Sequence, residues 1–296
     1  MTDAQPNVHR RRLGLALRAL RKAVPRPDRD DGVMNLAEAA ELIGLPGQSA
    51  LSKIENGKQR VPLSTLPSFF LAYGIEDAET KAELRALATL ASSGRRSNLL
   101  NQFKGTISDP FAEYLHLEEL ARKSEMYTHI VPGLLQDQPY AEAIVRRSRQ
   151  WQTNREIGNF VNLRIERQRA LNNPDPLQLW CIIDETALRR EVGGPAVMKA
   201  QLQHLVDVAD EHPNVTIQVL PFKAGAHAGI DGAFTLLHFP AGPPVVVVEP
   251  MTTALYLEDD SDIGRYETGM NHLKGEALDS DASRQFIIDT IKELYA

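Results

Sequence analysis

Gln48, Ser49, Ser52 and Lys53 are spaced so that a helix carries all four on one face, with Leu51 and Ile54 turned the other way. A glutamine amide presents a donor beside an acceptor, which matches the major-groove edge of adenine. A serine hydroxyl reaches bases or phosphates, and a lysine meets guanine or phosphate. Lys58, Gln59 and Arg60 follow at once, placed for backbone phosphates that set register without reading sequence. Arg10, Arg11 and Arg12 form a second cationic group able to add an electrostatic contact. The chemistry this set suits is recognition of double-stranded DNA.

Other groups invite a reactive reading and are explained more simply by structure. Asp184-Glu185 is a carboxylate pair at a predicted strand end, but Arg189 and Arg190 close behind point to an ion pair or a helix cap. His227 sits between glycines in Gly225-Ala226-His227-Ala228-Gly229, with Asp231 nearby, and Glu249 follows four valines. His227, Asp231 and Glu249 are therefore candidates for binding a ligand or a partner, with His227 also able to sense pH. An enzyme built here would need His227 and Asp184. No HExxH, GxSxG or Walker pattern occurs, and Gly193-Gly194-Pro195 reads as a turn. Cys181, the single cysteine, excludes an intramolecular disulfide and lies in an apolar strand-like run, where a thiol is buried and inert. The expectation is no catalytic residue, no metal, no cofactor and no enzyme.

The elements that must position these groups follow from periodicity and punctuation. A helix is predicted over 10–23 on the stripe Leu13, Leu17 and Leu20. Asn35 caps a second helix that Gly44 closes, and a turn at Leu45-Pro46-Gly47 leads into a third over 48–55, stopped by Gly57. Ala39-Ala40 lets the two short helices approach closely. Such a pair, joined by a tight glycine turn, is what a DNA-binding helix-turn-helix requires, the second helix lying in the major groove. Two more helices are predicted at 64–73 and 79–91. The unpatterned Ser92–Ser97 run marks a linker.

Beyond it, helices are predicted at 109–123, 134–149, 153–171, 196–211, 263–278 and 283–294. Strands are predicted at 126–131, 177–183, 215–220, 233–239 and 245–249. The fold class is α+β: an N-terminal all-α domain of about five helices over 1–92, a linker at 93–107, and a larger mixed α/β domain over 108–296. The order of its strands is not readable from sequence.

Charge divides the same way. Residues 1–104 hold 16 Lys and Arg against 11 Asp and Glu, and the remaining 192 hold 17 against 28. A basic first part suits a polyanion that the acidic remainder would repel. No apolar stretch approaches the ~20 residues of a membrane span, and the arginine-rich N-terminus lacks a signal-peptide run behind it. A cytoplasmic protein without membrane contact is expected.

Leu51-Ser52-Lys53-Ile54-Glu55-Asn56-Gly57 resembles the signature of the Xre-like (Cro/C1-type) helix-turn-helix family, and Ala40-Glu41-Leu42-Ile43-Gly44 matches its A-x-x-x-G element. The resemblance covers about residues 13–75. It implies that Gln48, Ser49, Ser52 and Lys53 belong to the recognition helix. Glu55 and Asn56 would then be structural, Glu55 through a charge-assisted bond. Leu36 stands where the family usually has a glutamine, and the stretch Leu45–Ala50 holds one residue more than the usual spacing.

Further along, Val131-Pro132-Gly133-Leu134-Leu135-Gln136, the run from Arg164 to Leu171, and Val219–Phe222 resemble the C-terminal domain, of uncharacterised function, of a group of actinobacterial Xre-like regulators. That resemblance implies a transcription regulator, a homodimer reading two half-sites. Its second domain would sense a ligand or a small acidic partner protein encoded nearby. The alternative it implies is an antitoxin-like protein that holds the small partner and binds DNA for autoregulation.

Overall fold

A computed structural model describes residues 8–29, 32–93, 102–103, 109–147, 153–249 and 254–295. Most of the linker expected over 93–107 lies outside the described residues. The chain divides into two compact units, one of residues 1–96 with 239–243, the other of residues 97–238 with 244–296.

The first unit contains α1 (Val8–Ala23), α2 (Leu36–Ile43), α3 (Gln48–Glu55), α4 (Leu66–Ala72) and α5 (Ala78–Ser93). Local chemistry sets the limits of α2. The Asn35 side chain accepts from the Glu38 N–H at 2.8 Å, and Gly44, at φ +82°, turns the chain left-handed while its N–H bonds back to Ala40 and Glu41. The stretch expected as one helix over 64–73 is a tight 3₁₀ turn, Leu63–Thr65, leading into α4, with Pro67 in its first turn. Leu13 and Leu17 of α1, Ala39 and Ala40 of α2, Leu51 and Ile54 of α3, and Leu66 and Phe69 of α4 share one core.

Two glycines let α1 meet the end of α3 through bare backbone. A Cβ on Gly14 would lie 2.5 Å from the carbonyl oxygens of Ile54 and Glu55. At Gly57, φ is +67° and a Cβ would lie 2.8 Å from the Arg11 Cα, so both conformation and space require glycine. This approach puts Arg21 beside Glu55. Arg21 Nε donates to Glu55 Oε1 at 2.7 Å and Nη2 to Oε2 at 2.9 Å, while Nη1 donates to the Met34 carbonyl. Both side chains are buried. The hydrogen bonds to Glu55 hold the guanidinium pKa above its ordinary value, although burial acts the other way.

The second unit contains α6 (Asp109–Leu120), β1 (Lys123–Thr128), α7 (Gln138–Arg147), α8 (Asn154–Arg167), β2 (Gln178–Asp184), α9 (Glu185–Arg189) and α10 (Pro195–Glu211). After these come β3 (Val215–Leu220), β4 (Phe234–His238), β5 (Val245–Val248), β6 (Leu255–Leu257), α11 (Asp260–Glu276) and α12 (Ser280–Leu294). The strands form one sheet in the order β3-β2-β1-β4-β5-β6. β1, β2 and β3 are parallel, which demands crossovers; α7 and α8 supply the first, α9 and α10 the second. β4, β5 and β6 are antiparallel to their neighbours.

Alternate residues face opposite layers. Met126, Cys181, Ile183 and Ile217 pack with Met198, Leu202 and Leu205 of α10 and Ile287 of α12. Tyr127, Ile182, Leu236 and Val246 pack on the other side with Ile263, Met270 and Leu273 of α11. The α+β class expected from sequence is the one observed: a helical unit, then a mixed unit around a six-stranded sheet.

Three expectations are corrected. The first strand begins at Lys123 and ends at Thr128, earlier than the expected 126–131. It takes in buried Ser124 and Glu125, which an apolar pattern passes over. Burial alone would raise the Glu125 carboxyl, yet hydrogen bonds from His238, Lys123 and Lys274 hold it well below the usual carboxylate range. The short strand β6 was not expected, having three residues and no buried face. The helices expected over 134–149 and 153–171 are shorter, with the 3₁₀ turns Gly133–Leu135 before α7 and Gln168–Leu171 after α8.

Among the described residues no helix is long and apolar enough to cross a membrane. Glu55→Ala is expected to leave the Arg21 charge buried and unpaired, costing about 3–5 kcal/mol; hydrogen exchange of the α1 and α3 amides should rise sharply, and unchanged protection would contradict the role given to this pair. Cys181 is fully buried and burial pushes its thiol up. It should react with a disulfide reagent only after denaturant unfolds the second unit, a difference that a thiol titration reads directly.

Candidate nucleic-acid interface and the cavity of the mixed unit

The outward face of α3 is made by the inward one. Leu51, Ile54 and Glu55 are buried, which leaves Gln48, Ser49 and Lys53 exposed on the opposite side. Gly47, at φ +140°, precedes the helix and brings no side chain to its first-turn N–H groups. That end is therefore open to an acceptor such as a phosphate. Ser52 is half-buried, and its carbonyl and hydroxyl oxygens accept from Asn56 Nδ2 at 2.8 and 3.3 Å. Asn56 thus closes the helix, and Ser52 is the least accessible of the four predicted recognition residues.

Past the helix, Lys58 and Gln59 are exposed, and their N–H groups bond back to the Lys53 carbonyl at 2.8 and 3.1 Å. Arg60 is also exposed, but its guanidinium donates to the Ser92 carbonyl at 2.6 Å and to its hydroxyl at 3.2 Å, tying it to the end of α5. Of the N-terminal arginines, Arg10 and Arg11 are half-buried and Arg12 is buried, so Arg12 is not presented to solvent as a surface cation. Leu36 is partly buried against the core, a packing role in place of a polar contact. Reading side-chain types did not single out Gly14, whose missing Cβ lets α1 seat α3; its only sequence signal is a glycine inside an apolar helical stripe.

In the second unit, a row of opposed residues, Met126 on β1, Thr235 on β4 and Val247 on β5, forms the floor of a cavity of about 200 Å³. It lies at the carboxyl end of β1, where the strand order reverses between the β1-β2-β3 half and the return through β4. This is where open α/β sheets hold ligands. Phe111 and Tyr114 of α6 close one wall, Leu134 and Gln136 another, and Arg164 and Arg167 of α8 a third.

The Val131–Gln136 segment has no regular partner strand, and glutamine side chains, one of its own and two from α10 and the turn after α8, satisfy its carbonyls. Gln136 Nε2 donates to Val131 O at 2.7 Å, Gln168 Nε2 to Gly133 O and Gln136 O, and Gln201 Nε2 to Leu135 O at 2.8 Å. Gln136 Oε1 then accepts from Arg164 Nη1 at 2.6 Å.

The two arginines differ in what holds them. Arg167 is buried and bidentate to Glu118, Nε to Oε1 at 3.0 Å and Nη2 to Oε2 at 2.6 Å. Burial alone would push Arg167 down, but Glu118 holds it above its ordinary value. Arg164 makes no direct ion pair among the described residues, although the Glu249 charge favours its charged form, and its buried Nε has no hydrogen-bond acceptor. Burial and the neighbouring Arg167 charge push its guanidinium down to about 10.

Of the three residues proposed from sequence for a ligand or partner, Glu249 lines this cavity as an exposed residue. His227 and Asp231 do not line it. Asp231 is exposed, and His227 lies half-buried with its ring 5.4 Å from that of Tyr127. Tyr127 in turn donates to Asp184 Oδ2 at 3.3 Å and contacts His129 Nε2 at 3.1 Å. Asp184 also caps α9, its Oδ1 accepting from the Thr186 N–H, and Glu185 pairs with Arg189 at 2.6 Å. The carboxylate pair is thus occupied by the cap and the ion pair that its flanking residues suggested. Reading by type missed Glu118, Gln136, Arg164 and Arg167 as a group, because three separate stretches of chain supply them.

A family profile described as a helix-turn-helix domain matches residues 12–84, and one described as a domain of unknown function, DUF5753, matches residues 111–289. No curated protein matches the chain, and no solved structure does. The first match covers the unit that presents α3, and the second covers the sheet, its helices and the cavity. The chain belongs to the DUF5753 family, its mixed domain preceded by a helix-turn-helix domain of the kind found in DNA-binding regulators.

Proposed function

We propose that this protein is a sequence-specific DNA-binding transcription regulator of the Xre-like, actinobacterial kind. In this reading residues 1–92 are the DNA-binding domain and 108–296 the part that senses a ligand or a small partner. The observation that carries it is α3: an eight-residue helix anchored from behind by Leu51, Ile54 and the Arg21–Glu55 pair, with Gln48, Ser49 and Lys53 turned outward. Gln48 and Lys53 read base edges, while Ser49, Lys58 and Gln59 hold phosphates. Arg60 contributes mainly by bracing α5, since its guanidinium is already hydrogen-bonded to Ser92. The protein acts as a cytoplasmic homodimer on two half-sites about one helical turn apart. Neither domain catalyses a reaction, which agrees with the engagement of Asp184 and Glu185 in a cap and an ion pair.

The test is fluorescence anisotropy of the full chain on the DNA upstream of its own gene, against a scrambled duplex, over a salt series. A preference of about a thousandfold or more is expected; equal weak binding to both duplexes would sink this reading. Gln48→Ala and Lys53→Ala should each weaken specific binding by roughly 1–3 kcal/mol. Lys58→Ala should weaken native and scrambled duplexes alike and lower the salt slope by about one. Wild-type affinity in both the Gln48 and Lys53 variants would show that another surface reads the bases.

A further inference from the structure

We propose that the cavity beneath α6 and α8 binds a small monocarboxylate with an apolar body, held by the free edge of the Arg164 guanidinium. The proposal rests on the reading of the second domain as the sensing part, and its binding step is measured without DNA. The geometry commits Arg164 to this. Gln136 Oε1 takes Nη1 and leaves Nε with no acceptor, although it is buried. Gln136 is itself held by Val131 O, so the guanidinium plane is fixed before anything binds. A guanidinium edge offers two parallel N–H donors, the spacing that two carboxylate oxygens match.

Charge selects a monoanion. Glu118 already pairs bidentately with Arg167, so among the described residues Arg164 is the cation of the lining that keeps donors to spare, with Glu249 acting on it without a direct ion pair. Glu249, also on the lining, has its carboxyl pushed up by desolvation, and what negative charge it carries opposes a dianion such as phosphate more strongly than a monoanion. Size and lining select the body. A cavity of about 150 Å³ accommodates benzene, and this one, at about 200 Å³, has room for a ring or short chain beyond the carboxylate. Phe111, Met126, Leu134 and Val247 give that body apolar contacts on a lining that also carries the polar Thr128, Thr235 and Gln136.

The experiment is thermal melting and isothermal titration of the full chain with benzoate, phenylacetate, 3-phenylpropanoate and hexanoate. Each is set against its neutral amide, with phenyl phosphate as the dianion. At least one carboxylate should bind and raise the melting temperature, with its amide and phenyl phosphate roughly tenfold or more weaker. Arg164→Gln should abolish the difference between acid and amide, and Arg164→Lys, which keeps the charge without the fork, should weaken it. The wild-type comparison of acid with amide stands even if a variant misfolds.

Equal response to acid and amide, or none to any carboxylate, overturns the proposal. So does Arg164-dependent capture of a small acidic protein by a chain that binds no free carboxylate. The two readings fail separately: carboxylate binding without operator binding removes the regulator and keeps the pocket, whereas operator binding without carboxylate binding removes the pocket alone. Where both hold, a saturating carboxylate should shift operator affinity, since an effector acts only through unequal affinity for two states.

Discussion

A guanidinium withdrawn from water is costly unless a carboxylate meets it, and the helix-turn-helix unit depends on meeting that demand at Arg21 and Glu55. The two residues are far apart in sequence and join α1 to the last residue of α3 through two hydrogen bonds, with a third from Arg21 to Met34 just before α2. An isolated helix of eight residues is well below the length at which helices hold themselves together in water. α3 therefore takes its orientation from what lies behind it. Gly14 and Gly57 remove the side chains that would otherwise hold α1 and α3 apart, and the close approach brings Arg21 within reach. The outward direction of Gln48 and Lys53 follows from that inner anchor.

The mixed unit meets the same demand at Arg167 and Glu118, which tie α8 to α6 over one wall of the cavity. One turn earlier on α8, Arg164 receives only a neutral amide oxygen. Two arginines on one helix face thus have opposite characters: a saturated pair that holds the wall, and a cation with hydrogen-bonding capacity left over. The Val131–Gln136 segment makes this difference possible. Its backbone is satisfied by glutamines from three positions, so it can run beside the cavity without a strand partner and present Gln136 to Arg164.

Much of this was legible locally. The Asn35 cap, the left-handed Gly44 and the alternation of Leu51 and Ile54 with polar residues are short-range signals, and α2 and α3 have the limits they predicted. The order of helices and strands in the mixed unit also followed from period and punctuation, apart from β6, the short helix α9 and the early start of β1. Exposure of individual polar groups was less legible. Arg12 and Arg60 have the same side chain as a phosphate-binding arginine, but one is buried and the other is bonded to Ser92. His227 and Asp231, chosen for their types and their glycine-rich loop, do not line the cavity that Glu249 borders.

The sequence by itself determined where helices start and stop, which faces are apolar, and that a short capped helix pair precedes a mixed α/β region. These depend on contacts within a few residues, and caps and periodicity record them directly. Only the tertiary structure decided the strand order, with β1 between β2 and β4, because that order arises from pairing between segments separated by whole crossovers. It also decided which arginine finds a carboxylate. Arg21, Arg164 and Arg167 are chemically identical in the chain, and only the folded positions of Glu55, Gln136 and Glu118 make two of them structural anchors and leave the third open.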